Sequence, residues 1–492
     1  MLDPLPQSDW SRLLADHLLF RAGYGGTPEV REAVYIAGRD GGVSAAVDLV
    51  LNPAPNWDAF PFPDWTASGP LLEQVAGGEG RREYAHWLAD QMRRTTPVAG
   101  KMLKFWLDHF PIDWGTLGNR TQKLFYLFRH TDILRRGALG NFNQLLKDVS
   151  RSEGMIKMLD LDESKVGAVN ENFGRELLEL FTLGVDGGYD EDHVQTAAEA
   201  FTGYKVRSYN ANADDRGYPF EHYVKTNHVD VSDKHFFVSE SGAPNLTGNN
   251  QGDQAIDAIT GRIACALHMC WKFWRYFVSP VPDEALIQQL AIRFQGTYGY
   301  EVEPVLREIF ESRVFYAKDT IGRMVKDPID WLLVNLNTLE AEMLPWRVQE
   351  ATLSAMGYEP MYPPSIQGWP EPEGVGNQWL STSSMVFRMN GPTIWTHKNT
   401  DLFSSKRTNA ELEAYPEIDL DSIAPPHLRT KENFNLLLIT LQKRFFPFHE
   451  IRGSQQRLLY DRFIRVRDAH DATEATRDVL RLILAMPEHQ LQ

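Results

Sequence analysis

Positions 170–182 read Asn-Glu-Asn-Phe-Gly-Arg-Glu-Leu-Leu-Glu-Leu-Phe-Thr, a spacing that predicts a helix with a dense polar face. At ~100° per residue, Glu171, Asn172, Arg175, Glu176, Glu179 and Thr182 fall on one side. Phe173, Leu177, Leu178, Leu180 and Phe181 fall on the other, and Gly184 is a natural C-terminal stop. Exposed to solvent, Glu171, Arg175 and Glu179 would form i,i+4 ion pairs of little energetic value. Turned inward, Glu171 or Glu176 could act as general acid or base, while Arg175 and Asn170 hold a polar or anionic substrate.

Other residues extend this set. His17 and Arg21 lie four apart and share a helix face, with His17 as a further catalytic group and Arg21, beside the Gly23–Gly26 turn, as a second anion-binding group. His109 sits in the aromatic run Phe105-Trp106-Leu107-Asp108-His109-Phe110, where it reads either as a hydrogen-bonded packing residue or as a proton shuttle. Trp369 and Trp379 offer stacking surfaces for a saccharide-type substrate. In a loop-rich stretch, His228-Val229-Asp230, near His222, Asp233 and His235, could ligate a divalent metal, although the spacing matches no closed motif. Lys272, Trp274 and Arg275 lie on an otherwise apolar helix, where snorkelling accounts for them.

Several chemistries lose ground. The chain has no Gly-x-x-x-x-Gly-Lys-Ser/Thr phosphate loop, no Gly-x-Gly-x-x-Gly after a strand, no Gly-x-Ser-x-Gly elbow and no Cys-x-x-Cys pair. Its net charge of −16 and lack of a basic stripe argue against nucleic acid and anionic membrane surfaces as partners. The two cysteines, Cys265 and Cys270, lie roughly 140° apart on one helix and read as buried free thiols. No apolar run approaches a membrane span. The start lacks a secretory leader, so the expected compartment is the cytoplasm, or the periplasm for a chain whose leader has been removed.

A chain of 492 residues with 43% hydrophobic side chains supplies ample core material for the elements that position these residues. Helical periodicity dominates: helices are expected near 10–21, after Thr27-Pro28, at 43–52, 81–110, 118–138, 141–158, 170–183 and 190–202. Others are expected at 251–277, 282–296, 302–318, 328–343 and 379–389, with two or three more in the last sixty residues. The fold class is mainly α, a single helical domain spanning 1–492. Its long loops are 53–68, 204–250, 361–376 and 398–428; within 204–250 lie short alternating pieces such as Phe220–Val224 and 235–238, and a small hairpin is expected in that stretch.

Several pieces in order resemble the bacterial family named domain of unknown function 1800. They are residues 17–25 (HLLFRAGYG), 105–110 (FWLDHF), 170–189, 200–204 (AFTGY), 272–277 (KFWRYF), 325–328 (VKDP), 363–370 (PPSIQGWP) and 486–490 (MPEHQ). The chain departs from the pattern at Leu161 and across 204–250. The resemblance implies a family without an established activity, many of whose members look exported and whose genes often neighbour a sulfatase-like family. It also implies that the 170–182 face borders a site. The expected function is therefore enzyme-like, of hydrolase or transferase type, with acid–base or metal-assisted chemistry on a polar or anionic substrate. The alternative is a non-catalytic binding or assembly partner whose polar cluster is structural.

Overall fold

The computed structural model describes residues 2–51, 57, 78–118, 120–208, 220–237, 245–369, 377–397 and 417–492. It is mainly helical, with two small antiparallel two-stranded sheets. Two helices run through the interior rather than over it. Pro97–His109 buries ten of its thirteen residues, and Pro328–Thr338 buries ten of its eleven. Both begin with proline at the first turn, which costs no hydrogen bond there. The second is capped by Asp327, whose side chain accepts from the Asp330 N–H at 2.9 Å. Around this centre pack Arg12–Ala22 with Pro28–Leu51, Gly78–Arg94, Arg120–Arg136 and Ile263–Phe277 with its neighbour Glu284–Ile292.

The expected helices are present with shifted boundaries. The two expected after Thr27 join as Pro28–Leu51, broken by non-helical backbone at Gly42. The one expected over 81–110 divides before Pro97, because proline cannot donate to the preceding turn. Residues 141–158 split into Phe142–Ser150 and Glu153–Met158, and 251–277 into Gln251–Thr260 and Ile263–Phe277. Trp346–Ala355 is an additional helix. The C-terminal residues form the three helices Phe434–Phe445, Gly453–Ala469 and Ala472–Leu484.

Within 204–250, Phe220–Val224 is a strand, paired with Tyr204–Ser208 in the register Tyr204↔Val224. A second pairing joins Lys234–His235 to Asn245–Leu246. Of the other expected loops, 53–68 lies outside the described residues except for Trp57, as do 370–376 and 398–416. Cys265 and Cys270 are free and buried. Among the described residues no helix is long and apolar enough to cross a membrane.

Four histidines lie fully inside this body: His17, His109, His130 and His489. Burial pushes His17 down to about 3 and His130 down to about 4. His109 and His489 are held well below the ordinary value, first by burial and then by nearby lysines. All four are therefore neutral in the fold, while in the unfolded chain they titrate near pH ~6.5. As pH falls below ~6.5 the unfolded chain takes up protons first, so stability present above that pH is lost towards the folded values. Each histidine contributes up to about 1.4 kcal/mol per pH unit in that window. Urea unfolding between about pH 7 and pH 5 should show a steep loss, shallower in His130→Gln; a flat profile would refute this account.

Candidate functional site

The interior helix Pro97–His109 carries Lys101, Lys104 and Asp108 on one face, at i, i+3 and i+7. Lys104 donates to Asp108 Oδ2 at 2.6 Å and lies 3.1 Å from Asp327 Oδ2, so one ammonium joins two carboxylates. Lys101 is ion-paired with Asp330, whose Oδ2 also accepts from Gln492 Nε2 at 2.6 Å. The Lys101 and Lys104 ammoniums sit 5.6 and 5.5 Å from the Tyr276 ring centre, within cation–π range. Burial pushes Asp327 up, but Lys104 and Lys101 outweigh it and hold the carboxyl below its ordinary value. Burial pulls Lys104 down, and Asp108 and Asp327 overcome that to raise it well above the usual amine range.

These groups line a cavity of about 50 Å³, room for a few water molecules. It adjoins a more open cleft of about 610 Å³, and the two share His109, Lys272, Arg275 and Trp369. Those four residues form the neck. Lys272 Nζ donates to His109 Nδ1 at 2.9 Å, and His109 Nε2–H donates to the Phe181 carbonyl at 3.2 Å. The imidazole is thus a neutral acceptor that orients the ammonium. Arg275 lies over the Trp271 ring, 4.4 Å from its centre. Trp271 and His268 are stacked, and His268 Nε2 donates to the Leu180 carbonyl at 3.3 Å.

The roof is the loop ending at Trp369. Trp369 stacks on Tyr358 with centroids 4.6 Å apart, and Trp379 lies 6.2 Å from the same ring. Gly368 has φ +82°, and a Cβ there would stand 2.2 Å from the Asp108 carbonyl oxygen. The missing side chain is what lets the loop close onto the end of Pro97–His109.

The structure separates the expected site residues into two groups. His109, Trp369 and Trp379 come together at the cavity. The tryptophans are largely buried, and Trp369 spends one face on Tyr358. The others lie elsewhere. The helix near 170 spans Asn172–Glu179, and its polar face is turned outward. Glu171 and Arg175 are 46% and 38% exposed, and Arg175 pairs with both Glu171 and Glu191. Asn170 is a turn residue, bonded to the Asn172 N–H and the Asp160 carbonyl. Glu176 is half-buried, with its carboxyl raised by burial and then by Glu179, against Arg175. Thr182 is buried and bonds the Leu177 carbonyl, because the chain leaves the helix before reaching it.

His17 is enclosed, with Nε2 bonded to the Phe315 carbonyl at 3.0 Å. Arg21 donates from Nε to the Phe277 carbonyl at 2.8 Å, closing the C-terminal end of Ile263–Phe277. Neither lines the cavity. Arg21 instead anchors the helix that carries Lys272 and Arg275. The metal expectation at His228 and Asp230 finds no ligand set. Asp230 is occupied by Ser232 and Lys234. His228 is held below its ordinary pKa by burial and then by Lys225, Lys205 and Lys165, cations that oppose a divalent ion. Among the described residues no group of three or more His, Cys, Asp or Glu side chains is placed to hold a metal ion.

Over residues 17–491 the chain matches the family described as protein of unknown function (DUF1800), and it belongs to that family. No curated protein and no solved structure matches it. Pieces that carried the resemblance in sequence, at 105–110, 272–277, 325–328 and 363–370, each contribute a residue to the cavity lining.

Two variants test this arrangement. Lys104→Met leaves two carboxylates in the interior without their cation and should cost about 3–5 kcal/mol; adding Asp327→Asn, which keeps a capping side chain, should recover part of it. Urea unfolding at neutral pH measures both, and a Lys104→Met loss under about 1 kcal/mol would sink the clamp. Gly368→Ala should lower stability by at least about 1 kcal/mol and alter tryptophan fluorescence; wild-type behaviour would show that the loop does not depend on the contact.

Proposed function

We propose that the cavity and cleft form one site for a small, polar, anionic molecule, with the anion held at the neck by Lys272 and Arg275. The observation that carries this reading is the neck itself. Two cations from one turn of Ile263–Phe277 meet the neutral His109 and the indole of Trp369 where both spaces join. Glu179 also lines the cleft. A guanidinium and an ammonium three residues apart suit a carboxylate, phosphate or sulfate group.

Acid–base work on the ligand falls to Asp108 rather than to Glu171 or Glu176. Its side chain is 19% exposed, against 12% for Asp327 and 4% for Asp330, so it is the interior carboxylate a ligand reaches most readily. A second reading, a non-catalytic protein with a purely structural polar core, draws on the pairing of Lys101 and Lys104 with three aspartates. It requires no ligand at the neck.

Titration calorimetry at fixed ionic strength, with inorganic phosphate and cyclohexanecarboxylate as probes, separates the two. Binding of at least one probe is expected, weakened about tenfold or more by Lys272→Ala or Arg275→Gln and unaffected by Arg175→Ala. Absence of binding by either probe, or equal binding by both neck variants, would leave the structural reading in place.

A further inference from the structure

The inner cavity differs in chemistry from its neck. Its walls are crowded with acceptors. The carboxylates of Asp108, Asp327 and Asp330 contribute six oxygens, and each carboxylate has capacity for about four hydrogen bonds. The interior donors are already committed: Lys101 to Asp330, Lys104 to Asp108 and Asp327, and Gln492 Nε2 to Asp330. One acceptor stands out. Gln492 lines the cavity and is 3% exposed, yet its Oε1 accepts no hydrogen bond from any described residue. A buried amide oxygen without a donor costs about 1–3 kcal/mol, so a group entering this space gains by donating to it.

Charge narrows the class of that group. Two ammoniums already lie among the three aspartates, so a further cation would meet Lys101 and Lys104 at close range. Neutral O–H donors meet the acceptors without that repulsion. A few water-sized positions suit the hydroxylated edge of a ring, and Phe105 and Trp369 supply apolar wall for its C–H face. At the neck the sign reverses, with Lys272 and Arg275 facing the other end of the same molecule.

Resting on the anion site proposed above, we infer that its ligand is a polyhydroxy acid of the hexuronate class, entering hydroxyl edge first and leaving its carboxylate at the neck. The test extends the same calorimetry to D-glucuronate, D-galacturonate and D-mannuronate. Cyclohexanecarboxylate is the reference, with the same anion and ring size but no hydroxyls, and 4-aminocyclohexanecarboxylate is the ammonium-bearing control. At least one hexuronate should bind about tenfold more tightly than cyclohexanecarboxylate, and the amine should gain nothing. Gln492→Met, which keeps the side-chain volume, should remove most of the hexuronate advantage and leave cyclohexanecarboxylate binding unchanged.

If cyclohexanecarboxylate binds through Lys272 and Arg275 and no hexuronate improves on it, this inference is overturned while the anion site stands. A tighter amine, or a Gln492→Met variant with the full hexuronate advantage, overturns it as well. If none of these acids binds, it falls, and the phosphate titration decides the anion site separately. The ligand comparison on the unmodified protein decides the matter even where Gln492→Met does not fold.

Discussion

The position of one ammonium governs much of this molecule. Lys104 lies between Asp108 on its own helix and Asp327 at the cap of another, and it ties together the two helices that run through the core. Bringing three charges out of water costs several kcal/mol per ion, and only close pairing and added hydrogen bonds offset it. Each partner therefore needs the others. Asp327 serves twice, since its second oxygen caps Pro328–Thr338 and so fixes where Asp330 stands relative to Lys101. The apolar bulk around the pair, including Trp106 and Trp331, gives the helices their cohesion, while the ionic links specify how they lie against each other.

A related economy appears at helix ends. The last carbonyls of a helix lack partners within it, and this protein gives several of them to side chains that face the cavity or support it. The carbonyls of Leu180 and Phe181, just beyond Asn172–Glu179, take His268 and His109. The carbonyl of Phe277 takes Arg21. The helix whose polar face drew attention in the sequence thus serves the cleft from its far end, through backbone oxygens and Glu179, while its ion pairs face solvent.

Much of the architecture was legible because helical periodicity reports which residues share a face. It does not report which face points inward when both carry strong signals, and the 172–179 helix is the instructive case. Its charges are dense because Arg175 reaches Glu191 across the surface. The interior cluster was harder to read. Lys101, Lys104 and Asp108 form a visible stripe on Pro97–His109, but their neutralising partners come from 327 and 330, and no local pattern announces such a pairing. Lys272 and Arg275 read as snorkelling cations because apolar neighbours surround them on their own helix; the cleft exists only once His109 and Trp369 arrive from elsewhere. Backbone acceptors such as Phe181 O have no side-chain signature at all.

The separation of the paired residues along the chain bears on how the protein reaches its native state. Lys101 and Asp330 are 229 positions apart, His109 and Lys272 163, and Arg21 and Phe277 256. Closing loops of that length costs entropy before any contact rewards it. Neighbouring helices such as Ile263–Phe277 and Glu284–Ile292 meet across a short loop, whereas the polar interior joins segments far apart in the chain. In the unfolded chain its lysines and aspartates are hydrated, so enclosing them is also a dehydration, in which water gives way to the paired charges.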